Sequence, residues 1–272
     1  MSVPLALAAL GCAPSRRLDA PRLQPPPITW QQQAATIYSK FPAFEAVYRA
    51  EWLPTEGRAR SFRLWVAASH AERLRLEASG RFGGAWLTLV AVGDEVLAVS
   101  HRAAEYILEA DAPGLLQTLS GWPLVPSECA GVLLGDLPAR LDLTVRAADG
   151  STAGSTPGQH APAEVAVSSG LARQYRFRLG AGGTLSGSRL ELHGRQGSIA
   201  QIEYEVWQQF DQVALPSRLK LRQQDGMLML RLESIAAAPS AAAFELTPPP
   251  GFRRRRPGSE SLDPDWANPD GR

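Results

Sequence analysis

Lysine is almost missing from this chain. Lys40 and Lys220 are the only two among 28 basic residues, and the rest are arginine, a compositional bias rather than a function. Against 27 acidic residues the formal net charge is +1, so no global excess of one sign draws the chain to nucleic acid or acidic ligands. Cysteine occurs twice, which excludes a disulfide framework and a cysteine-based zinc site. Four scattered histidines, His70, His101, His160 and His193, have no metal-ligand spacing. No apolar run approaches the ~18 residues that a membrane-spanning helix needs. Glycine and proline, by contrast, are abundant at 24 and 22 of 272 residues. That excess, over a length ample for a buried core, favours turn-rich, mainly β architecture over a helical bundle.

Period-two alternation dominates what is present. With a nearly continuous apolar run at 85–92, it predicts strands at 44–51, 61–67, 73–78, 85–92, 96–100 and 104–110, then at 141–146, 164–167, 174–179, 189–193, 199–206, 217–221 and 228–235. Turn signals between them point to a meandering antiparallel sheet. Thr29 before Trp30-Gln31-Gln32 has capping-box spacing, and Ala34, Ile37 and Tyr38 share one face of a helix over 30–40 that Pro42 stops. A second helix opens at Asp111 or Pro113 and breaks at Gly121-Trp122-Pro123. A third starts from Ser127 as N-cap and runs to Leu134, where Gly135 stops it. Residues 147–162 are low in complexity and read as a flexible loop, and residues 253–272 as a disordered tail.

Catalytic chemistry finds no support in these patterns. Ser120 and Ser186 sit in no Gly-x-Ser-x-Gly elbow. Gly180-Ala181-Gly182-Gly183 opens no helix and lacks phosphate-loop spacing. No carboxylate pair stands out as acid and base. The chain is therefore expected not to be an enzyme, and to need no cofactor and no metal.

Residues Val3–Leu10 form a short apolar run ending in Gly11-Cys12, and Ala9-Leu10-Gly11-Cys12 resembles a bacterial lipobox. The match departs from the usual pattern at Ala9 and Leu10, and Met1-Ser2 supplies no basic residue. On this reading 1–11 is a lipoprotein signal peptide, Cys12 carries the lipid and 12–28 is a Pro- and Arg-rich tether. Ala13 after the cysteine resembles lipoproteins sent to the outer membrane. The bland reading is an incidental Cys12 near a frayed terminus.

Three segments in order resemble the LolB-like outer-membrane lipoprotein receptors of the LolA/LolB-like family. They are 73–89 (RLRLEASGRFGGAWLTL), 113–138 (PGLLQTLSGWPLVPSECAGVLLGDLP) and 197–235 with Phe244-Glu245-Leu246. The resemblance implies one domain over 29–252. Its fold would be mainly β (α+β): an incomplete antiparallel β-barrel of about eleven strands, with helices capping a hydrophobic hollow. It further implies a lipid-anchored protein on the periplasmic face of the outer membrane, whose partners are the acyl chains of lipoproteins or lipids and a periplasmic LolA-like carrier.

Phe82, in Ser79-Gly80-Arg81-Phe82-Gly83-Gly84, matches that family's protruding apolar loop residue, which serves membrane and lipoprotein transfer. Alternatively it folds back on its own hairpin. Candidates for the cavity lining are Phe62, Leu64 and Val66; Leu74, Leu76, Leu87 and Leu89; and Ile107, Leu116, Leu119, Trp122 and Leu133. A filled core would use the same pattern. Arg63, Arg73 and Arg75 meet lipid phosphates or form a solvated face, and Arg253–Arg256 meet headgroups or solvent. A structural or envelope-assembly scaffold that binds a protein partner is the alternative function.

Overall fold

Alternating strands with short turns leave each strand one apolar face, and only a wide sheet can merge those faces. The computed structural model describes residues 30–69, 71–80, 83–110, 124–136, 164–169, 173–178, 188–194 and 197–255. Helix α1 (Trp30–Lys40) comes first, followed by β1 (Ala43–Pro54), β2 (Arg60–Ser69), β3 (Arg73–Ser79), β4 (Ala85–Val92), β5 (Glu95–Ser100) and β6 (Glu105–Glu109). Helix α2 (Pro126–Leu134) separates these from β7 (Glu164–Ser169), β8 (Arg173–Arg178), β9 (Arg189–Gly194), β10 (Gly197–Phe210), β11 (Val213–Gln223), β12 (Gly226–Ala237) and β13 (Arg253–Arg254).

All thirteen strands join one sheet in the order β13-β6-β5-β4-β3-β2-β1-β12-β11-β10-β9-β8-β7. Two antiparallel meanders, β1 to β6 and β12 back to β7, meet at the β1–β12 ladder, where Ala46 faces Ile235 and Ala50 faces Leu230. Among the described residues the edges β13 and β7 do not pair, so the sheet stays open. The fold is thus mainly β, an open antiparallel half-barrel with helices, as the sequence pattern implied.

The hairpins have local causes. Asp211 and Gln212, at φ 40° and 69°, make the two-residue turn between β10 and β11, a primed turn that matches strand twist. Helix α1 lies against β11, with Phe41 and Phe210 ring centroids 6.2 Å apart and Gln33 Nε2 donating to the Ala214 carbonyl at 3.3 Å.

Two boundaries differ from expectation. Ser127 is not the N-cap of α2. Val125 holds that place, Pro126 occupies the first turn where its missing N–H costs nothing, and the Val125 N–H donates to Glu128 Oε2 at 3.0 Å. The assignment of 253–272 to the tail fails at its start. Arg253 and Arg254 form a parallel bridge to β6, the Arg253 and Arg255 N–H groups donate to the Ala104 and Tyr106 carbonyls, and Glu105 pairs with both Arg253 and Arg255. An exposed edge strand offers unpaired backbone groups, and a passing extended segment takes them up whatever its side chains.

Gly135 ends α2 in the left-handed region at φ 76°, and a Cβ there would run into the ring of Trp207. Gly135→Ala is expected to destabilise the fold by about 1–3 kcal/mol, combining left-handed strain with the clash. Gly84→Ala, which opens into empty space, serves as the neutral control. Equal denaturation midpoints for the two variants would remove the Trp207 contact as the determinant of this helix end.

Candidate functional site

Pairing register decides which side chains share a face, and here it collects the apolar ones. Ile235, Ala46, Val66, Leu76, Leu89, Ala98 and Ile107 lie in one row across seven adjacent strands. Flanking rows run Phe44–Ala68–Leu74–Ala91–Val96 and Tyr48–Leu64–Ala78–Leu87. Ala50 faces Phe62 on the same side. Phe62, Leu64, Val66, Leu74, Leu76, Leu87, Leu89 and Ile107 therefore all stand on one face of the sheet. From the other meander, Leu190, Leu192, Ile202, Leu215, Leu219 and Leu221 join the same core.

Helix α2 lies over this face, against β2, β3 and β11, with Leu133 buried in the shared core. Its last carbonyls lie beyond the helix's own hydrogen bonds, and that of Val132 accepts from the Gly135 N–H at 3.3 Å. Two fully buried tyrosines reach them: Tyr204 Oη donates to the Val132 carbonyl at 3.1 Å and Tyr48 Oη, more weakly, to that of Leu133 at 3.5 Å. Burial raises both phenols well above the ordinary tyrosine range, so they remain donors. Burial also raises the thiol of Cys129, a free cysteine on the same helix. Neither tyrosine is among the candidate residues, because strand alternation carries no signal for a helix that their hydroxyls would hold.

Away from α2 the face is less completely covered. Phe62, Leu64, Leu76, Leu87 and Leu228 are only half-buried. Most of them gather where β2, β3 and β4 approach the hairpin that carries residue 82: Arg63 is opposite Ser79, and a register shift after Ala78 brings Trp86 edge-on to Phe62, ring centroids 5.4 Å apart. Cys12, Phe82, Leu116, Leu119 and Trp122 lie outside the described residues, as do the segments 1–11, 12–28 and 147–162.

The opposite face explains why β4 is apolar along nearly its whole length. Ala67 with Ala243 and Phe244 of the Ala241–Phe244 turn makes a second small core, against Trp65 and Val92. Thr88 Oγ1 meets His101 Nε2 at 2.9 Å, and Phe252 packs edge-on against the His101 ring. The three arginines singled out on the polar strand side differ in surroundings. Arg63 pairs with Glu233 at 3.1 Å. Arg75 pairs with Glu77 at 3.0 Å and lies over the Trp65 ring. Arg73 is exposed. Among the described residues no helix is long and apolar enough to cross a membrane, and no group of three or more His, Cys, Asp or Glu side chains is placed to hold a metal ion.

No protein-family model and no curated protein matches the chain. Solved structures do resemble its fold. A domain described as an outer membrane lipoprotein-sorting protein, from Vibrio parahaemolyticus, superposes with a TM-score of 0.51 at 8% identity, over 79% of this chain and 95% of its own. A LolA superfamily protein from Nitrosomonas europaea gives 0.44 at 11% identity, over 79% and 96%. A DUF1329 family protein from Desulfovibrio piger gives 0.47 at 7% identity, over 79% and 95%. At such identities the likeness is one of fold.

Removing the tyrosine donors should loosen α2. Tyr204→Phe and Tyr48→Phe are each expected to cost about 1 kcal/mol, and together to speed alkylation of native Cys129. An unchanged alkylation rate in the double variant would show that the hydroxyls do not hold the helix. The raised phenols also set a pH slope. The unfolded phenols ionise near pH ~10 while the folded ones stay protonated, so their stabilisation is complete below that pH and is lost above it. Denaturant titrations from pH 8 to 11 should show a fall that is shallower in the double Phe variant.

Proposed function

We propose that this protein binds the acyl chains of lipoproteins or lipids on the apolar face of its half-barrel and passes them to the outer membrane, as a LolB-like receptor does. The observation that carries the reading is the half-buried cluster of Phe62, Leu64, Leu76 and Leu87 beside the hairpin of residue 82, continuous with the fully buried row behind it. An acyl chain entering there would extend an apolar surface that already exists. Each buried CH₂ contributes about 0.8 kcal/mol, so a chain of ~14 carbons gains on the order of 10 kcal/mol, from which any displacement of α2 is subtracted. Transfer involves no covalent step and no catalytic residue. The receiving bilayer offers equal burial, and the exchange runs nearly isoenergetically.

In this proposal Cys12 carries the lipid anchor on the periplasmic side of the outer membrane. Residues 12–28 give the tether, and Phe82 enters the bilayer or touches the moving chain. A periplasmic LolA-like carrier would hand over the cargo. The fold shared with the Vibrio parahaemolyticus domain supports a sorting role of this kind, and the apolar run before Cys12 supports the anchor. One observation favours the alternative scaffold role. Leu74, Tyr48, Leu124 and Leu134 are fully buried, so α2 already fills the middle of the face.

Mass spectrometry of lipids retained through purification separates the two readings. Co-purifying acyl species that vanish in Leu64→Arg favour the carrier, whereas their absence from the wild type favours the scaffold. Cys12→Ser should abolish radiolabelled palmitate incorporation, and persistent label would remove the anchor. Phe82→Glu is expected to leave the thermal midpoint unchanged while impairing lipoprotein delivery in a complementation assay. Normal delivery would take Phe82 out of the mechanism.

A further inference from the structure

The polar face of the sheet carries an arrangement that strand chemistry disfavours. Arg63 on β2 stands opposite Arg49 on β1, Arg49 opposite Arg231 on β12, and Arg231 opposite Arg218 on β11. Four arginines thus line up across four adjacent strands. Neighbouring strands lie about 4.8 Å apart, and like charges directly opposite destabilise a sheet. Glu233 neutralises Arg63 at the end of the row, and Glu205 pairs with Lys220 beside it. Among the described residues no ion pair or hydrogen bond engages the guanidinium groups of Arg49, Arg231 or Arg218, and all three residues are exposed.

These three flank a groove of about 560 Å³, whose other walls include Glu51, Glu205, Lys220 and Met229. Three arginines and one lysine against two glutamates leave two positive charges in excess there. The surrounding face does not extend that excess. Glu45, Glu77, Glu203 and Glu233 stand on it with Arg63, Arg73, Arg75 and Arg222, four against four, so it adds no net charge and lacks the field that draws a protein flat onto an anionic membrane. A local row of forked donors within a balanced face suits a compact phosphate anion. Guanidinium forks match phosphate oxygens two at a time, and a phosphate would relieve the mutual repulsion of the row.

We propose that Arg49, Arg231 and Arg218 form a binding site for a phosphate group on the face opposite the apolar one, carried by a soluble phosphorylated compound or by a lipid headgroup. Lys220, drawn toward Glu205, borders the site, and Glu51 closes it on the β1 side. The site stands independently of acyl-chain binding, because it lies on the other face of the sheet.

Isothermal titration of the full chain with pyrophosphate at low salt tests the site, with sodium chloride at matched ionic strength as control. Saturable binding is expected, weakened about tenfold or more in Arg231→Gln and retained in Arg222→Gln, which alters the same face outside the row. Arg231→Gln should fold normally, since it removes a repulsion, and its thermal midpoint without ligand should be equal or higher. Equal affinity in Arg231→Gln, no saturable binding, or an effect reproduced by chloride would overturn the proposal. Sedimentation with phosphatidylglycerol vesicles, against phosphatidylcholine vesicles, identifies the source. Binding that pyrophosphate displaces and Arg231→Gln loses points to a lipid headgroup. Pyrophosphate binding without sedimentation points to a soluble ligand.

Discussion

Everything in this fold depends on the ladder between β1 and β12. Each meander is local, strand next to strand, and each exposes one apolar face that it cannot cover by itself. Joining them along β1–β12 makes the two faces one surface, with Ala46 against Ile235, Tyr48 against Leu232 and Ala50 against Leu230. Only then are Tyr48 and Tyr204, from opposite meanders, both within reach of the same helix. The helix in turn leaves from the end of one meander and precedes the other, so its docking follows from the same closure. The ladder tolerates a bulge between Val47 and Tyr48 without losing its face, because the extra residue, Glu233, takes its charge to the outer side and pairs with Arg63.

The two faces of the sheet are built on different economies. The inner one is apolar along whole rows, so its energy comes from area removed from water and is indifferent to which alkyl group supplies it. A protein side chain and a lipid tail are interchangeable there, which is why α2 can occupy the centre while the end near residue 82 stays only half-covered. The outer face is charged and directional. Where its charges pair, as Arg75 with Glu77 or Lys220 with Glu205, the strands gain a little. Where three arginines stand abreast the sheet loses a little, and an anion bound there would offset that loss.

Much of the inner face was legible in the sequence. Alternation set Phe62, Leu64 and Val66 on one side of their strand and Leu74 and Leu76 on one side of theirs, and helix α1 and β4 have the bounds that capping, proline and turn signals gave them. Period two is a one-strand property, so it survives ignorance of the partner. Register is a two-strand property, and the unread features depend on it. Arg63 drew notice because its own strand alternates, whereas the row through Arg49, Arg231 and Arg218 exists only once β1 is laid on β12. The C-terminal end of β10 lies four residues beyond the sequence pattern for the same reason. Bulges near Tyr204 shift the alternation in phase, and the pattern breaks where the strand does not. Arg253 and Arg254 joined the edge through backbone groups that no side-chain pattern encodes.

A hollow and a filled half-barrel share one alternation, and the placement of α2 shows why the distinction is one of degree. The helix is short, glycine-stopped, and held at its C-terminal turn by two phenol hydroxyls, one of them at a distance where a hydrogen bond is weak. Apolar contact supplies a further part of its attachment to the sheet, and that part an incoming chain can replace area for area. Moving such a helix costs far less than unfolding a strand paired on both sides, because no ladder hydrogen bond has to break. A face closed by a strand would be a core for good. One closed by a helix of nine residues, tethered through two carbonyls, can in physical terms be opened by a ligand that supplies about the same buried area.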